Sequence, residues 1–208
     1  PPSPESKTPI FINLCFDYNK SHDKLVSMKI LVATPLYPPD VAPSAQYVKE
    51  LAKRLTAEKH SVIIVAYARI PEKIPGVKII AVNKNRPLIL RVLAYLFAFW
   101  RAARAADIVY VQNGLSVELP IAFVSFITRT PVIAGISDKN AYKRTRENIT
   151  QKFINNFVIK RARKIITEMP MERPEILPFA AQSTHEQENY RLSWENHIRD
   201  LIQIFNHV

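Results

Sequence analysis

Glycine and cysteine are scarce in this sequence: 208 residues include three glycines and one cysteine. Because Gly76, Gly114 and Gly135 lie far apart, neither a glycine-rich dinucleotide fingerprint nor a phosphate-cradling P-loop is present. The lone Cys15 rules out a disulfide framework and a cysteine-based zinc site. This pattern favours a reducing compartment, and we expect a cytoplasmic protein.

Patterns typical of metal sites and hydrolase nucleophiles are missing as well. The five histidines are scattered without the spacing of metal ligands, so we expect no metal site. Ser116 and Ser137 lack the flanking glycines of a nucleophile elbow, which argues against a serine hydrolase. The sequence therefore identifies no catalytic residue.

Positive charge dominates the composition, with 29 lysines and arginines against 18 acidic residues and a formal net charge of +11. Such a balance favours an anionic partner, which includes phosphate ligands, acidic membrane surfaces and nucleic acid. Residues 139–164 hold many of the cations and one acid, Glu147. We interpret this stretch either as a solvated helix face or as a patch facing phosphate or anionic lipid. Nucleic acid is the least expected partner, because no aromatic platform or reading motif accompanies the charge.

The chain divides into three regions by composition. Residues 1–27 are proline-rich and polar, and we predict an irregular extension, with an added edge strand at 10–16 as the alternative. No basic segment precedes a long apolar one there, so a secretory signal is not indicated. We expect one α/β domain over 28–169, and a linker with a closing helix over 170–208.

Short apolar runs alternate with helical patterns from residue 29 onward. This alternation predicts an α/β fold, a doubly wound parallel sheet with right-handed crossovers, and a C-terminal helix packed back on it. The predicted strands are 29–34, 61–66, 77–82, 107–112 and 131–136, with 165–167 as a candidate sixth, and the predicted helices are 44–58, 87–106, 119–127 and 183–208.

The predicted helix 87–106 is apolar on nearly all sides as far as Arg101. Its uninterrupted apolar run is too short to span a bilayer, which takes about 20 residues. One interpretation is a core helix packed on the sheet. The other is a peripheral membrane contact, because Trp100 stands beside Arg101 and Arg104 as in interfacial helices with basic flanks.

Parallel sheets bind ligands at the carboxyl ends of their strands. The exits of strands one, four and five therefore predict a ligand-binding edge. Its candidate residues are Ser44 and Gln46 on the first loop, Gln112 and Asn113 after strand four, and Asp138 after strand five. Each has a structural alternative: Ser44 as a helix N-cap, Gln112 and Asn113 as loop formers, and Asp138 as a turn residue.

The segment MKILVATPLYPPD at 28–40, followed by QYVKELAKRL at 46–55, resembles the amino-terminal half of a retaining GT-B glycosyltransferase of the family 4 type. Segments 107–112 and 131–133 are similar to later strands of that family. The resemblance implies a single Rossmann-like GT-B half that binds the acceptor, with its first loop facing the diphosphate of a nucleotide-sugar. It implies a sugar or lipid-linked acceptor and no cofactor besides the donor substrate.

Two departures from the family pattern bear on activity. The glycine pair that normally follows the Pro-Pro-Asp element is replaced by Ala42 and Pro43, and proline has no amide hydrogen for a phosphate. The donor-binding domain with its paired glutamates is not recognised after residue 167. Glu50 and Glu58 have the expected spacing but are interpreted as solvent-facing charges of the first helix.

The segment LSWENHIRDLI at 192–202 is similar to the terminal helix that crosses back onto the amino-terminal domain in these enzymes. We therefore expect a truncated glycosyltransferase, an acceptor-binding domain with little or no sugar transfer by itself, with a partner chain as a possible source of the donor domain. The alternative is a non-catalytic binding module or remnant that contacts an anionic ligand or membrane surface. The expected location is the cytoplasm, with a peripheral position at the inner face of the membrane as a further option.

Overall fold

The computed structural model describes residues 27–112, 117, 120–121, 123–124, 127–136, 149–167, 175–176 and 187–208. Strands and helices alternate along the described chain. The elements are β1 (Lys29–Thr34), α1 (Pro43–Ala57), β2 (Ser61–Tyr67), β3 (Val77–Val82), α2 (Leu88–Ala103), β4 (Ile108–Gln112), β5 (Val132–Ile136), α3 (Ile149–Arg161), β6 (Lys164–Thr167), β7 (Glu175–Ile176) and α4 (Gln187–Asn206). Residues 117, 120–121, 123–124 and 127, between β4 and β5, are also helical.

The seven strands form one sheet in the order β3-β2-β1-β4-β5-β6-β7, and every neighbouring pair is parallel. In the register at its centre, Val32 of β1 pairs with Ile64 of β2 and with Tyr110 of β4. The sheet is wound outward from β1 in both directions, as the alternation of strand and helix predicted. The doubly wound parallel sheet and the sixth strand are therefore confirmed.

Helices cover both faces of the sheet, which explains why its central strands read as continuous apolar runs. Ile30 and Val32 point to a core shared with α1 and α4. Leu31 and Ala33 point to the opposite core, shared with α2 and the helical residues around Ile121. A single strand thus supplies both halves of the hydrophobic core through its alternating side chains.

The closing helix packs as expected. Trp194, Ile198, Leu201 and Phe205 of α4 are buried in the α1 core. Trp194 stacks on Tyr47 of α1, with ring centroids 5.5 Å apart. This contact confirms that the apolar side of the C-terminal helix is buried against the sheet domain.

The start of α1 differs from the prediction. Ser44 was expected to cap this helix, but the N-cap is Ala42, and no side chain caps the helix there. Pro43 occupies the first turn, where its missing amide hydrogen costs nothing, and its fixed φ favours a helix that begins two residues earlier than a Ser44 cap would give. The amides of Ala45 and Gln46 donate to the carbonyl of Ala42.

Other boundaries shift by small amounts. β2 continues to Tyr67, α2 stops at Ala103, and residue 117, two positions before the predicted start of the helix after β4, is already helical. The two-residue strand β7 extends the sheet in a proline-rich stretch where no strand was predicted. The proposed extension 1–27 and its alternative strand at 10–16 lie outside the described residues, apart from residue 27, so the division of the chain into three regions stays a prediction.

One side of α2 packs into the hydrophobic core. Tyr95, Phe99, Ala102 and Ala103 are buried on the sheet, which confirms the core-helix interpretation for that side. The opposite side remains exposed. Among the described helices none has the length and apolarity required to cross a membrane.

Candidate functional site

The carboxyl end of β1 is joined to that of β4 by buried polar groups. Oγ1 of Thr34 lies 2.9 Å from Oε1 of Gln112, and both side chains are almost fully buried. Nε2 of Gln112 donates to the carbonyl oxygen of Ser44, 3.4 Å away in the first turn of α1. Gln112 therefore fixes the distance between the two strand exits and the helix that follows the first loop.

The loop between β1 and α1 is held from the side by the segment after β2. Tyr37 is buried, and its hydroxyl donates to the carbonyl oxygen of Glu72 at 3.1 Å. The amide of Glu72 donates in turn to the carbonyl oxygen of Pro38. Burial, with a smaller effect of the Glu72 carboxylate, raises the pKa of Tyr37 to about 12, so the hydroxyl remains a proton donor at neutral pH.

Charged pairs connect the same loop to its neighbours. Asp40 forms an ion pair with Lys84 of the β3–α2 loop, and Lys49 of α1 forms one with Glu72 at 2.5 Å. Arg91 of α2 donates to the carbonyl oxygen of Lys84. These contacts connect the exits of β1, β2 and β3 into one surface. Two lysines of this surface, Lys49 and Lys84, are each paired with a carboxylate.

The structure brings some of the predicted site residues together. Ser44 is half-buried and Gln46 is exposed, so the latter side chain is accessible at the start of α1. Gln112 is buried and acts as the bridge described above, which is a structural role in this conformation. Asn113 and Asp138 lie outside the described residues. As ligand contacts, all five residues stay predictions.

Sequence reasoning missed exposed residues that lie on the same edge. Arg69 follows the end of β2, and Arg86 follows the end of β3. Leu36, Val41 and Ile70 add exposed apolar side chains to these exits. The signal was available, because each lies in the loop that follows a predicted strand. The edge therefore combines cationic and apolar groups, which suits an amphiphilic anion.

The described residues include no cluster of three side chains that would hold a metal ion. Tyr37 and Tyr67, which have raised pKa values of about 12 because of burial, are poor proton acceptors at neutral pH. Glu50 pairs with Arg54 four residues later, and Glu58 is exposed at the end of α1, as expected for helix charges. The cations and hydrogen-bonding groups that are described at this edge are suited to holding a ligand.

A parallel sheet wound outward from β1 in both directions, with helices on both faces, defines a Rossmann-like α/β domain. The sequence profile of the glycosyl transferase 4-like domain matches residues 44–183, which is more than half of the chain. The chain therefore belongs to the glycosyl transferase 4-like domain family. A search of curated proteins finds no match.

Solved structures of similar architecture include an α-glucosyltransferase in complex with UDP and a mismatched 13-mer DNA (TM-score 0.48, 11% identity, 70% of this chain and 38% of that one). A putative UDP-N-acetylglucosamine 2-epimerase from Listeria monocytogenes is also similar (TM-score 0.46, 13% identity, 68% of this chain and 39% of that one). Another is a DNA/pantothenate metabolism flavoprotein from Streptococcus pneumoniae (TM-score 0.45, 13% identity, 86% and 99%). The chain spans less than half the length of the first two.

Proposed function

We propose that this chain is the acceptor-binding half of a family 4 type glycosyltransferase, and that a second domain supplies the donor site. The observation that carries the proposal is the cationic and apolar edge at the strand exits of a chain that belongs to this family. Arg69, Arg86, Gln46 and the loop before α1 would face the acceptor and the diphosphate of a nucleotide-sugar. No cofactor besides that donor substrate is required.

The acceptor in this proposal is a sugar or a lipid-linked sugar. α2 begins beside the same edge, because the β3–α2 loop carries Lys84, the partner of Asp40. Its first turn exposes Leu88, Ile89 and Leu90. An acceptor with an anionic head at the edge and an apolar tail along α2 would satisfy both kinds of surface. We therefore propose that the protein acts at an anionic membrane surface, on the cytoplasmic side of the membrane.

In this proposal the described residues form one wall of the cleft in which donor and acceptor meet. Sugar transfer requires the donor to be held in reacting geometry and shielded from water, and a single wall does neither. We therefore expect little or no transfer by these 208 residues alone, and transfer when a donor-binding domain is joined to them or provided by a partner chain.

Sugar transfer from a panel of nucleotide-sugars to lipid-linked sugars in anionic vesicles tests this proposal. The complete reading frame, with any partner chain that co-purifies, should transfer a sugar, and the 208-residue chain alone should not. Arg69→Glu and Arg86→Glu should lower the transfer, whereas Lys53→Glu, an exposed cation of α1, should not. Absence of transfer by the complete protein would contradict the proposal.

A second candidate function is a non-catalytic binding module for an anionic ligand. It is favoured by Pro43, which offers no amide hydrogen at the start of α1, and by the pairing of Lys49 and Lys84 with carboxylates. A module of this kind would bind anionic ligands without converting them. Measurable turnover by the complete protein would exclude it.

A further inference from the structure

Exposed large apolar side chains are concentrated on one side of the described molecule. α2, the helical residues between β4 and β5, and α3 carry nine of them, whereas α1 exposes none and α4 exposes only Leu192 among the described residues. The nine are Leu88, Ile89, Leu90, Leu93, Phe97, Phe123, Ile127, Phe153 and Phe157.

These three helical segments cover the same face of the sheet. α2 and the residues around Ile121 share one core. The connections from β3 to β4, from β4 to β5 and from β5 to β6 all progress across the sheet in the same direction. Right-handed crossovers therefore place α3 on this face too. We call the outer surface of these segments the apolar layer.

Each segment carries a pair of exposed side chains at helical spacing. Leu93 and Phe97, Phe123 and Ile127, and Phe153 and Phe157 are each four residues apart, so each pair lies on one side of its helix. Phe97 and Phe123 are each 60% exposed, and Phe153 is 73% exposed. Single exposed leucines are common on protein surfaces and form only small apolar areas. An apolar area that extends over three neighbouring helices is larger, and it indicates a binding surface.

Cations and aromatic rings border the apolar layer. At the carboxyl end of α2, the guanidinium of Arg104 lies 5.2 Å from the ring centroid of Trp100, and Phe97 lies 6.0 Å from the same ring. At the end of α3, Lys160 and Arg161 are exposed next to Phe157. Neither α2 nor α3 contains an acidic residue. Apolar stripes with aromatic and basic borders are typical of surfaces that lie in the headgroup region of anionic bilayers.

We infer that the apolar layer as a whole docks the chain on an anionic membrane. This inference deepens the proposed membrane contact of α2, on which it rests, by adding the segment between β4 and β5 and α3 to the docking surface. A second copy of the chain is a poorer occupant, because a face-to-face pair would bring the basic borders of two strongly cationic molecules together.

Co-sedimentation of the 208-residue chain with vesicles tests the inference without any sugar transfer. Phosphatidylcholine vesicles containing phosphatidylglycerol should bind the chain, and phosphatidylcholine alone should bind it much less. Phe97→Glu, Phe123→Glu and Phe153→Glu should each weaken binding by about tenfold or more, because each removes apolar burial and adds repulsion from anionic lipid. Leu192→Glu on α4, whose leucine is 43% exposed, is the matched control and should bind normally.

The outcomes separate the alternatives. If only Phe97→Glu weakens binding, α2 alone is the membrane contact and the three-segment surface is wrong. Equal losses in Leu192→Glu, absence of binding to anionic vesicles, or a dimer that the same three substitutions dissociate would also overturn it. Thermal unfolding of each variant identifies losses of fold, and Phe97→Ser, Phe123→Ser and Phe153→Ser repeat the test without a new charge.

Discussion

The hydroxyl of Tyr47 on α1 lies 2.7 Å from Nε2 of His197 on α4, and both side chains are buried. Burial, reinforced by Tyr110, raises the pKa of Tyr47 well above its ordinary value, so the phenol stays neutral. The two residues are 150 positions apart in sequence. Together with the stacking of Trp194 on Tyr47, this hydrogen bond fixes the closing helix on the domain.

Tyr47→Phe removes that hydrogen bond while keeping the ring. We expect a loss of about 1–3 kcal/mol in the free energy of unfolding, because a buried imidazole nitrogen loses a partner. Urea denaturation measures the loss. Tyr190→Phe on α4, a half-buried tyrosine beside Trp194, is the control and should cost less than about 0.5 kcal/mol. Equal losses in both variants would contradict the role of the pair.

His60 makes stability depend on pH. The amide of Met28 donates to its Nδ1 at 3.2 Å, which requires that nitrogen to be unprotonated. Burial lowers the pKa of His60 below 6.5, and the nearby Glu58 only partly opposes this. The unfolded chain therefore takes up a proton more readily, so stability is complete above pH 6.5 and falls as pH decreases from there through the lower folded-state pKa.

Denaturation of the chain and of His60→Gln across this pH range measures the effect. Glutamine keeps a hydrogen-bond acceptor and does not titrate, so the variant should lose less stability between neutral and mildly acidic pH. Parallel curves for the two proteins would show that His60 does not contribute.

Gly135 of β5 faces the ring of Tyr110 on β4. A Cβ added at this glycine would lie 2.2 Å from the tyrosine hydroxyl and 2.6 Å from Cζ. Because the ring is buried and packs against Phe205, we expect Gly135→Ala to cost about 1–3 kcal/mol. Adding Tyr110→Phe removes the closest atom and should restore part of that stability. A Gly135→Ala variant as stable as the parent chain would contradict this packing.

Arg69 and Arg86 are expected to contribute to ligand binding without stabilising the fold. Arg69→Ala and Arg86→Ala should each weaken binding of a nucleotide-sugar or anionic acceptor about threefold to fivefold, as for solvent-accessible ion pairs. Isothermal titration calorimetry measures the affinity, and thermal unfolding should be unchanged. Lys53→Ala is the control, and an equal effect there would indicate a general effect of net charge.

Sequence patterns were sufficient for the sheet because its central strands are buried on both faces. Val62 to Ala66, for example, read as a β-branched run whichever face each side chain meets. The cap of α1 was predicted wrongly, since Ser44 has a strong capping preference but Pro43 already fits the first turn. The capping preference of Ser44 was therefore outweighed by the preference of the neighbouring Pro43 for the first turn of a helix.

Long-range contacts account for what the sequence left open. Gln112 was identified as a residue at a strand exit, but its bridge to Thr34 depends on strands 78 residues apart. The apolar layer was foreseen for α2 alone. In the sequence, Phe123 and Phe153 look like any other apolar residues of a helix. The sheet topology relates them, because it places three helical segments on one face.

The central claim is that the strand exits form the ligand edge of a glycosyltransferase half. Titration of the isotope-labelled chain with a panel of nucleotide-sugars, followed by backbone amide shifts, tests it most directly. At least one nucleotide-sugar should move amides in residues 35–46 and next to Arg69 and Arg86, while amides at the opposite ends of the strands stay unchanged. If no nucleotide-sugar moves these amides, or if the shifts occur only elsewhere, the claim is contradicted.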